Sequence, residues 1–371
     1  MQRKSFKRFI KTGSGDMITL NKDVFKKTHT FDSEIQATKF IEIIHLLSDQ
    51  KVIYPPISIT QKHKNVTYTQ NYSISFIPPE HTCAARTLLI GQSILNLQKI
   101  LKKYDLGLID ARVSNFTYSE KGFLLIDLFS IVSLSRYSVS SFNYDFKISI
   151  LNPIMFEVFL GFPANVYHAN PLSFKNINYL RLSFSCLSLH AFPYLISLYF
   201  QKIFDNLINL SNPDIVSNFL LSYSKTDDPI SYKAQKILPK YDNLLKYLSQ
   251  KLQSKETSWS KYPNFHDDKY QYKKKCITNK FINLFVSSGY MVDLGSNNLI
   301  NYKNSDVTVI PIDLDFSVIN RLTFRGFNAI LADLSSLFLD KSDNSYQILT
   351  YSYHAESALF LGILHHLVIT L

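Results

Sequence analysis

The sequence predicts a mixed chain: an α+β region over residues 1–255, then an α/β unit with a parallel sheet over residues 265–371. Three observations predict it. From Gly289 onward, apolar runs of strand length alternate with helical spacing, and several of the runs close on an acid. Between Leu108 and Ser130, two short apolar runs carry Asp110, Asn115 and Asp127. Ser211 to Pro263 is mostly polar and reads as linker around one helix. An apolar content of 46% is ample for burying a core in each part.

In chain order, Lys11-Thr12-Gly13-Ser14-Gly15 is the one candidate for a glycine-rich phosphate loop, and a polar turn explains it as well. Ala84 to Tyr104 sets Leu88, Leu89, Ile94, Leu95, Leu97, Ile100 and Leu101 on one apolar face. That is an amphipathic helix, and it delivers the chain to Asp110. Asn115 follows five positions after Asp110, and Asp127 twelve further on, with Gly122 suited to the hairpin turn between the two strands. Protein kinases place a catalytic-loop Asp, a metal-binding Asn and a second metal-binding Asp in this order and at similar spacing. On that pattern Asp110 would accept a proton from an attacking hydroxyl, and Asn115 and Asp127 would hold the Mg2+ of a bound ATP through oxygen. No His-Arg precedes Asp110, no glycine follows Phe129, and no Val-Ala-Ile-Lys signature is present. The pattern therefore speaks for a kinase-like fold; an active phosphotransferase and a degenerate module both stay open.

Leu182 to Phe200 carries no Asp, Glu, Lys or Arg and is just long enough to span a bilayer. Ser183, Ser185, Ser188, His190 and Pro193 interrupt it, so a helical hairpin in a soluble core is expected and no membrane span. Leu244, Leu245, Leu248 and Leu252 predict a helix over Tyr241–Leu252, with the rest of Ser211–Pro263 as linker. The domain boundary falls near 255–265, where Trp259 and Tyr262 are suited to pack at the junction.

Past the boundary, Gly289 to Leu294 reads as a buried strand ending in Asp293, Leu294 and Gly295. Val307 to Ile312 closes on Asp313, twenty positions after Asp293, and Asn328 to Ala332 closes on Asp333. Between the last two, Val318, Ile319 and Leu322 have helical spacing, and Ser357 to Leu364 forms a fourth run before His365 and His366. Ligands of parallel sheets bind at the carboxyl ends of the strands, where these acids fall. A glycine there lets backbone approach a ligand, and an acid at the next strand tip accepts hydrogen bonds from ribose hydroxyls.

These residues resemble class I S-adenosylmethionine (SAM)-dependent methyltransferases: Val292-Asp293-Leu294-Gly295 their first motif, Ile312-Asp313 their ribose-binding acid, Ala332-Asp333-Leu334 their adenine-side acid. With Tyr270–Lys280 and Leu364–Ile369, the chain is similar to a bacterial nodulation-type methyltransferase family with a long kinase-like region ahead of the transferase. The resemblance implies an α+β kinase-like N-terminal region followed by an incomplete α/β Rossmann-like methyltransferase domain. It implies SAM as cofactor at Asp293, Gly295, Asp313, Asp333 and Leu334, and a small-molecule or glycan acceptor. His365 and His366 follow the fourth strand, where a base facing the methyl group is one role and packing in the turn the other. Neither requires a metal. The family's first motif supplies a further glycine where Asn297-Asn298-Leu299 stand; asparagine tolerates left-handed angles, so the turn is expected to survive. A seven-stranded transferase sheet would need strands beyond Leu371, so the chain reads as truncated.

The net charge of +11 raises a nucleic-acid reading, but the lysines are scattered, with short runs such as Lys26-Lys27 and Lys273–Lys275, so nucleic acid is not expected. Cys83, Cys186 and Cys276 have neither zinc nor disulfide spacing, which fits reduced thiols and a cytoplasmic setting.

Overall fold

The computed structural model describes residues 9–12, 15–21, 24–71, 77, 79–119, 121–134, 139–169, 230–257, 268–285, 289–297, 307–333 and 357–359. It is a mixed α/β structure. β1 (Phe9–Thr12), β2 (Gly15–Asn21), β3 (Val24–Thr30), β4 (Ser58–Lys62) and β5 (Asn65–Asn71) form an antiparallel sheet in the order β1-β2-β3-β5-β4. Lys11 and Thr12 of the glycine-rich candidate end β1 and pair with Asp16 and Gly15 of β2, while Gly13 and Ser14 lie outside the described residues. Pleating sends neighbours to opposite faces: on β3, Lys26 is exposed and Lys27 is buried.

α1 (Glu34–Asp49) joins β3 to β4. Ser33 caps it by accepting from the Gln36 amide at 3.2 Å. Ala37, Phe40, Ile44 and Leu47 recur at helical spacing and are its buried stripe. Phe31, Phe40, Tyr68 and Phe129 meet as an aromatic cluster beneath it.

α2 (Ala84–Lys102) agrees with the predicted helix, and twelve of its nineteen residues are buried. It leads through β6 (Leu106–Leu108) into the Asp110 loop. β7 (Phe116–Ser119) and β8 (Gly122–Leu125) make the expected hairpin, with Gly122 at φ 102°, and β9 (Ile131–Ser133) returns to β6. Next come α3 (Val139–Phe146), a π-helical turn (Lys147–Leu151), α4 (Asn152–Leu160) and α5 (Ala164–Ala169).

The π turn packs against Gly91 in the middle of α2. A Cβ on Gly91 would stand 2.5 Å from Ile150 Cγ2 and 3.3 Å from Leu245 Cδ1. Alanine is the better helix former by roughly 1 kcal/mol, but overpacking a tight core costs about 1–3 kcal/mol. Gly91→Ala is therefore expected to be net destabilising. A lower urea midpoint at unchanged m-value checks this; an unchanged or higher midpoint rejects the close approach.

α6 runs Ile230–Gln253, with Pro239 inside it. It corrects the expectation of a helix confined to Tyr241–Leu252: residues 230–240 are helix, not linker. Ile230, Ala234, Ile237 and Leu238 have helical spacing too, but Pro239 reads as a break ahead of Tyr241. Among the described side chains, Tyr241, Leu244, Leu245, Leu248 and Leu252 are buried.

α7 (Asp268–Phe285) precedes the second sheet, whose strands are β10 (Gly289–Leu294), β11 (Val307–Asp313), β12 (Ile330–Leu331) and β13 (Ser357–Leu359). All pairings are parallel, in the order β12-β11-β10-β13. α8 (Phe316–Phe324) lies between β11 and β12, capped by Asp315, which accepts from Ser317 N at 2.8 Å and Val318 N at 3.0 Å. The sheet is buried on both faces, as continuous apolar runs require. Met291, Val307 and Val309 pack on one side with Val318, Ile319 and Leu322 of α8. Val292, Leu294, Ile310 and Ile312 pack on the other with Ile77. The first of these clusters also contains Cys83 and Ala85 from the start of α2, so apolar packing crosses the expected boundary.

Among the described residues no helix is long and apolar enough to cross a membrane. The stretch Leu182–Phe200, Trp259, Tyr262 and the fourth run beyond Leu359 lie outside the described residues.

Candidate functional site

The carboxyl end of the parallel sheet gathers three of the predicted residues. β10 ends at Leu294, and the chain turns at Gly295 with φ 67°, a backbone angle that disfavours a side chain. Gly295 N donates to Ile312 O at 2.8 Å, which holds the turn over the end of β11. Asn297 takes φ 39°, the left-handed conformation expected of asparagine where the resembled family has glycine. Its amide donates to Asp313 Oδ2 at 2.9 Å, and Asp315 N donates to Asp313 Oδ1 at 2.9 Å. Asp313 thus ties two loops at the strand tips. Burial raises its carboxyl above the usual range, against the pull of these amides. The Leu314 amide also bonds this carboxylate. An ionised carboxylate has about four acceptor positions, so about one remains for a ligand hydroxyl.

Asp293 is buried within β10, in register with Pro311 of β11 and Leu359 of β13. Asp333 is exposed just past β12, beside Ala332, whose amide donates to Asp313 O at 3.0 Å. Ser296 is also buried, and its hydroxyl has no hydrogen-bond partner among the described residues. A buried, unsatisfied hydroxyl beside a glycine turn fits a ligand polar group. Leu334, His365 and His366 lie outside the described residues.

The second constellation centres on the Asp110 loop. Asn115 Nδ2 donates to Asp110 O at 3.0 Å, and Ile126 N donates to Asn115 O at 2.9 Å. These bonds draw the two halves of the motif together. Asp127 meets a residue the sequence did not single out: Lys27 Nζ of β3 stands 2.7 Å from Asp127 Oδ1, with the lysine 3% exposed. The available signal was slight, since Lys26-Lys27 reads as a charge run until pleating buries one of the two. Arg112 lies with Nε 2.8 Å from Asp110 Oδ1 and NH2 3.1 Å from Asp145 Oδ1. The first is a charge contact rather than an aligned hydrogen bond. Lys27, Asp110, Asn115 and Asp127 together offer one ammonium and several oxygens, a donor set for a metal-bound phosphate. Among the described residues no three His, Cys, Asp or Glu side chains cluster as a metal site of their own.

A third group, also unread in the sequence, joins the two regions. Glu157 of α4 is fully buried. It accepts from Ala164 N at 2.9 Å and from Asn320 Nδ2 of α8, while Asn320 Oδ1 accepts from Ala85 N at 2.8 Å. Lys255 Nζ donates to Glu157 O, and Ser317 Oγ donates to Lys255 O at 2.7 Å. Arg86, also buried, donates to Asn328 Oδ1.

No protein-family model and no curated protein matches the chain. Among solved structures, a similar one is described as "Structure of vaccinia related kinase 3", with a TM-score of 0.23 at 9% identity. The match covers 34% of this chain and 47% of that one.

Proposed function

We propose that the chain is a SAM-dependent methyltransferase, with SAM held at the carboxyl ends of β10, β11 and β12. The observation that carries this reading is the Gly295–Asn297 turn, clamped by Asp313 over the end of a parallel sheet. Gly295 gives the close backbone approach, Asp313 accepts from a ribose hydroxyl, Ser296 offers an unsatisfied hydroxyl, and Asp333 stands on the adenine side. SAM supplies an electrophilic methyl group when bound. The chain's own task is to orient it toward a small-molecule or glycan acceptor. His365 or His366 would serve as base where the acceptor needs one.

Calorimetric titration of the full chain with SAM tests this. Micromolar binding is expected, with a loss of about 10-fold or more in Asp313→Ala, since one charge-assisted hydrogen bond is worth some 1.5–3 kcal/mol. Circular dichroism of the variant excludes unfolding as the cause. The absence of binding by the folded parent chain sinks the reading.

A second reading is favoured by Lys27–Asp127: the N-terminal region binds a magnesium nucleotide, with Lys27 on phosphate and Asn115 and Asp127 on the metal. Mg2+-dependent ATP binding that is lost in Asp127→Asn supports it, and indifference to ATP removes it.

A further inference from the structure

The hairpin that leads into Asp127 also holds the turn that leads into β12. β8 ends at Leu125, two residues before Asp127. On β8, the Phe123 ring carries the Arg86 guanidinium at 4.8 Å. Arg86 in turn donates to Asn328 Oδ1, two residues ahead of β12. On β7, Tyr118 meets Phe123 edge-on at 5.4 Å and donates its hydroxyl to Gly326 O at 2.6 Å. Beyond β12, Ala332 N donates to Asp313 O at 3.0 Å. A series of packed, hydrogen-bonded and backbone-linked groups therefore runs from Asp127 to Asp313.

Coupling between sites needs an element with two arrangements, because proximity alone transmits nothing. Lys27–Asp127 would be such an element. The ammonium and carboxylate stand 2.7 Å apart. A magnesium nucleotide would be held by Asp127 on the metal and Lys27 on a phosphate. The direct contact would then be exchanged for two others, and the Asp127 end of the hairpin would shift with it.

We propose that magnesium nucleotide at Lys27–Asp127 is an effector of SAM binding at Gly295–Asp313, the two sites being coupled through the β7–β8 hairpin, Arg86 and the turn before β12. This rests on both readings above. The nucleotide alters SAM affinity, and by linkage SAM alters nucleotide affinity by the same factor.

The test is calorimetric titration of the full chain with SAM, with and without saturating Mg2+ and a non-hydrolysable ATP analogue, followed by the reverse titration. A reciprocal change of about 5-fold or more is expected. Tyr118→Phe, which removes one hydroxyl from a half-buried position, is expected to shrink the factor while each ligand alone binds as in the parent. Asp127→Asn is expected to abolish the nucleotide's effect. Its persistence in that variant would mean competition at the adenosine site and would overturn the proposal. Binding of both ligands with unchanged affinities overturns the coupling and leaves both sites standing. Failure of either ligand to bind alone removes that site's reading, and the coupling with it.

Discussion

Asp127→Ala is expected to lower the stability of the chain by about 3–5 kcal/mol. The substitution removes the carboxylate 2.7 Å from a lysine that is 3% exposed. An ammonium this deep is costly to desolvate, and alanine keeps the Cβ but leaves the ammonium without its counter-charge. The pair itself is worth far less than its disruption suggests, since apolar residues of similar volume commonly replace a buried ion pair at little cost. Lys27→Met combined with Asp127→Leu is therefore expected to recover most of the stability lost in Asp127→Ala. Denaturant unfolding of the parent, Lys27→Met, Asp127→Leu and the double variant completes the cycle, with Asp127→Ala measured beside them. If Asp127→Ala unfolds within 1 kcal/mol of the parent, the buried contact is not formed in solution.

Glu157 is expected to make the chain less stable as pH rises from about 4.5 to 7. Burial pushes its carboxyl from 4.5 up to about 7, against the Ala164 amide, Asn320 and the charge of Lys255. A group whose folded pKa is raised contributes stability below its unfolded pKa and loses it as pH rises through the folded value. A displacement of this size corresponds to about 3 kcal/mol at most, since one unit is 1.36 kcal/mol. His168 acts in the opposite sense over part of the same window, because burial depresses its imidazole to about 3. The informative quantity is thus the difference between the parent and Glu157→Gln. The amide cannot ionise, so the parent's stability relative to the variant is expected to fall across pH 4.5–7 and level off above. A difference that stays flat over that range would show that Glu157 is ionised throughout. The absolute stability of Glu157→Gln is a separate matter, since the amide has one acceptor oxygen where Glu157 accepts from Ala164 and Asn320 on two, and its nitrogen only donates.

The parts of this fold that were legible in the sequence are those written by local pattern. α2 announces itself through Leu88, Ile94, Leu95 and Leu101; β10 and β11 through unbroken apolar runs; α8 through Val318, Ile319 and Leu322. The turn at Gly295 was legible because few residues other than glycine sit easily at φ 67°, and Asn297 because asparagine comes nearest. Asp110, Asn115 and Asp127 were legible as a spacing. Lys27 was not, because its meaning depends on a partner a hundred residues away and on which of two adjacent lysines the pleat turns inward. Glu157, Asn320 and Arg86 were not either, since each lies on a helix whose sequence gives no sign of a polar partner from a distant segment. The turns of α6 before Tyr241 carry Ile230, Ala234, Ile237 and Leu238 in phase with the later stripe, but Pro239 interrupts the pattern and reads as a break, so they read as linker.

The start of α2 bears on how the chain is assembled during synthesis. Cys83, Ala85 and Arg86 leave the ribosome early, yet the groups that cover them, Thr323, Asn320 and Asn328, are more than 230 residues behind. At about 5–20 residues per second, that interval lasts on the order of 10–50 seconds. Throughout it, a buried guanidinium and the first turn of a helix stand open to water and to other nascent chains. A ribosome-bound chain ending before Ile319 should therefore show a reactive Cys83 thiol, and one extended well past Ala332 a protected thiol. Closure of that seam, rather than completion of either sheet, would be the step that commits the molecule to its final form.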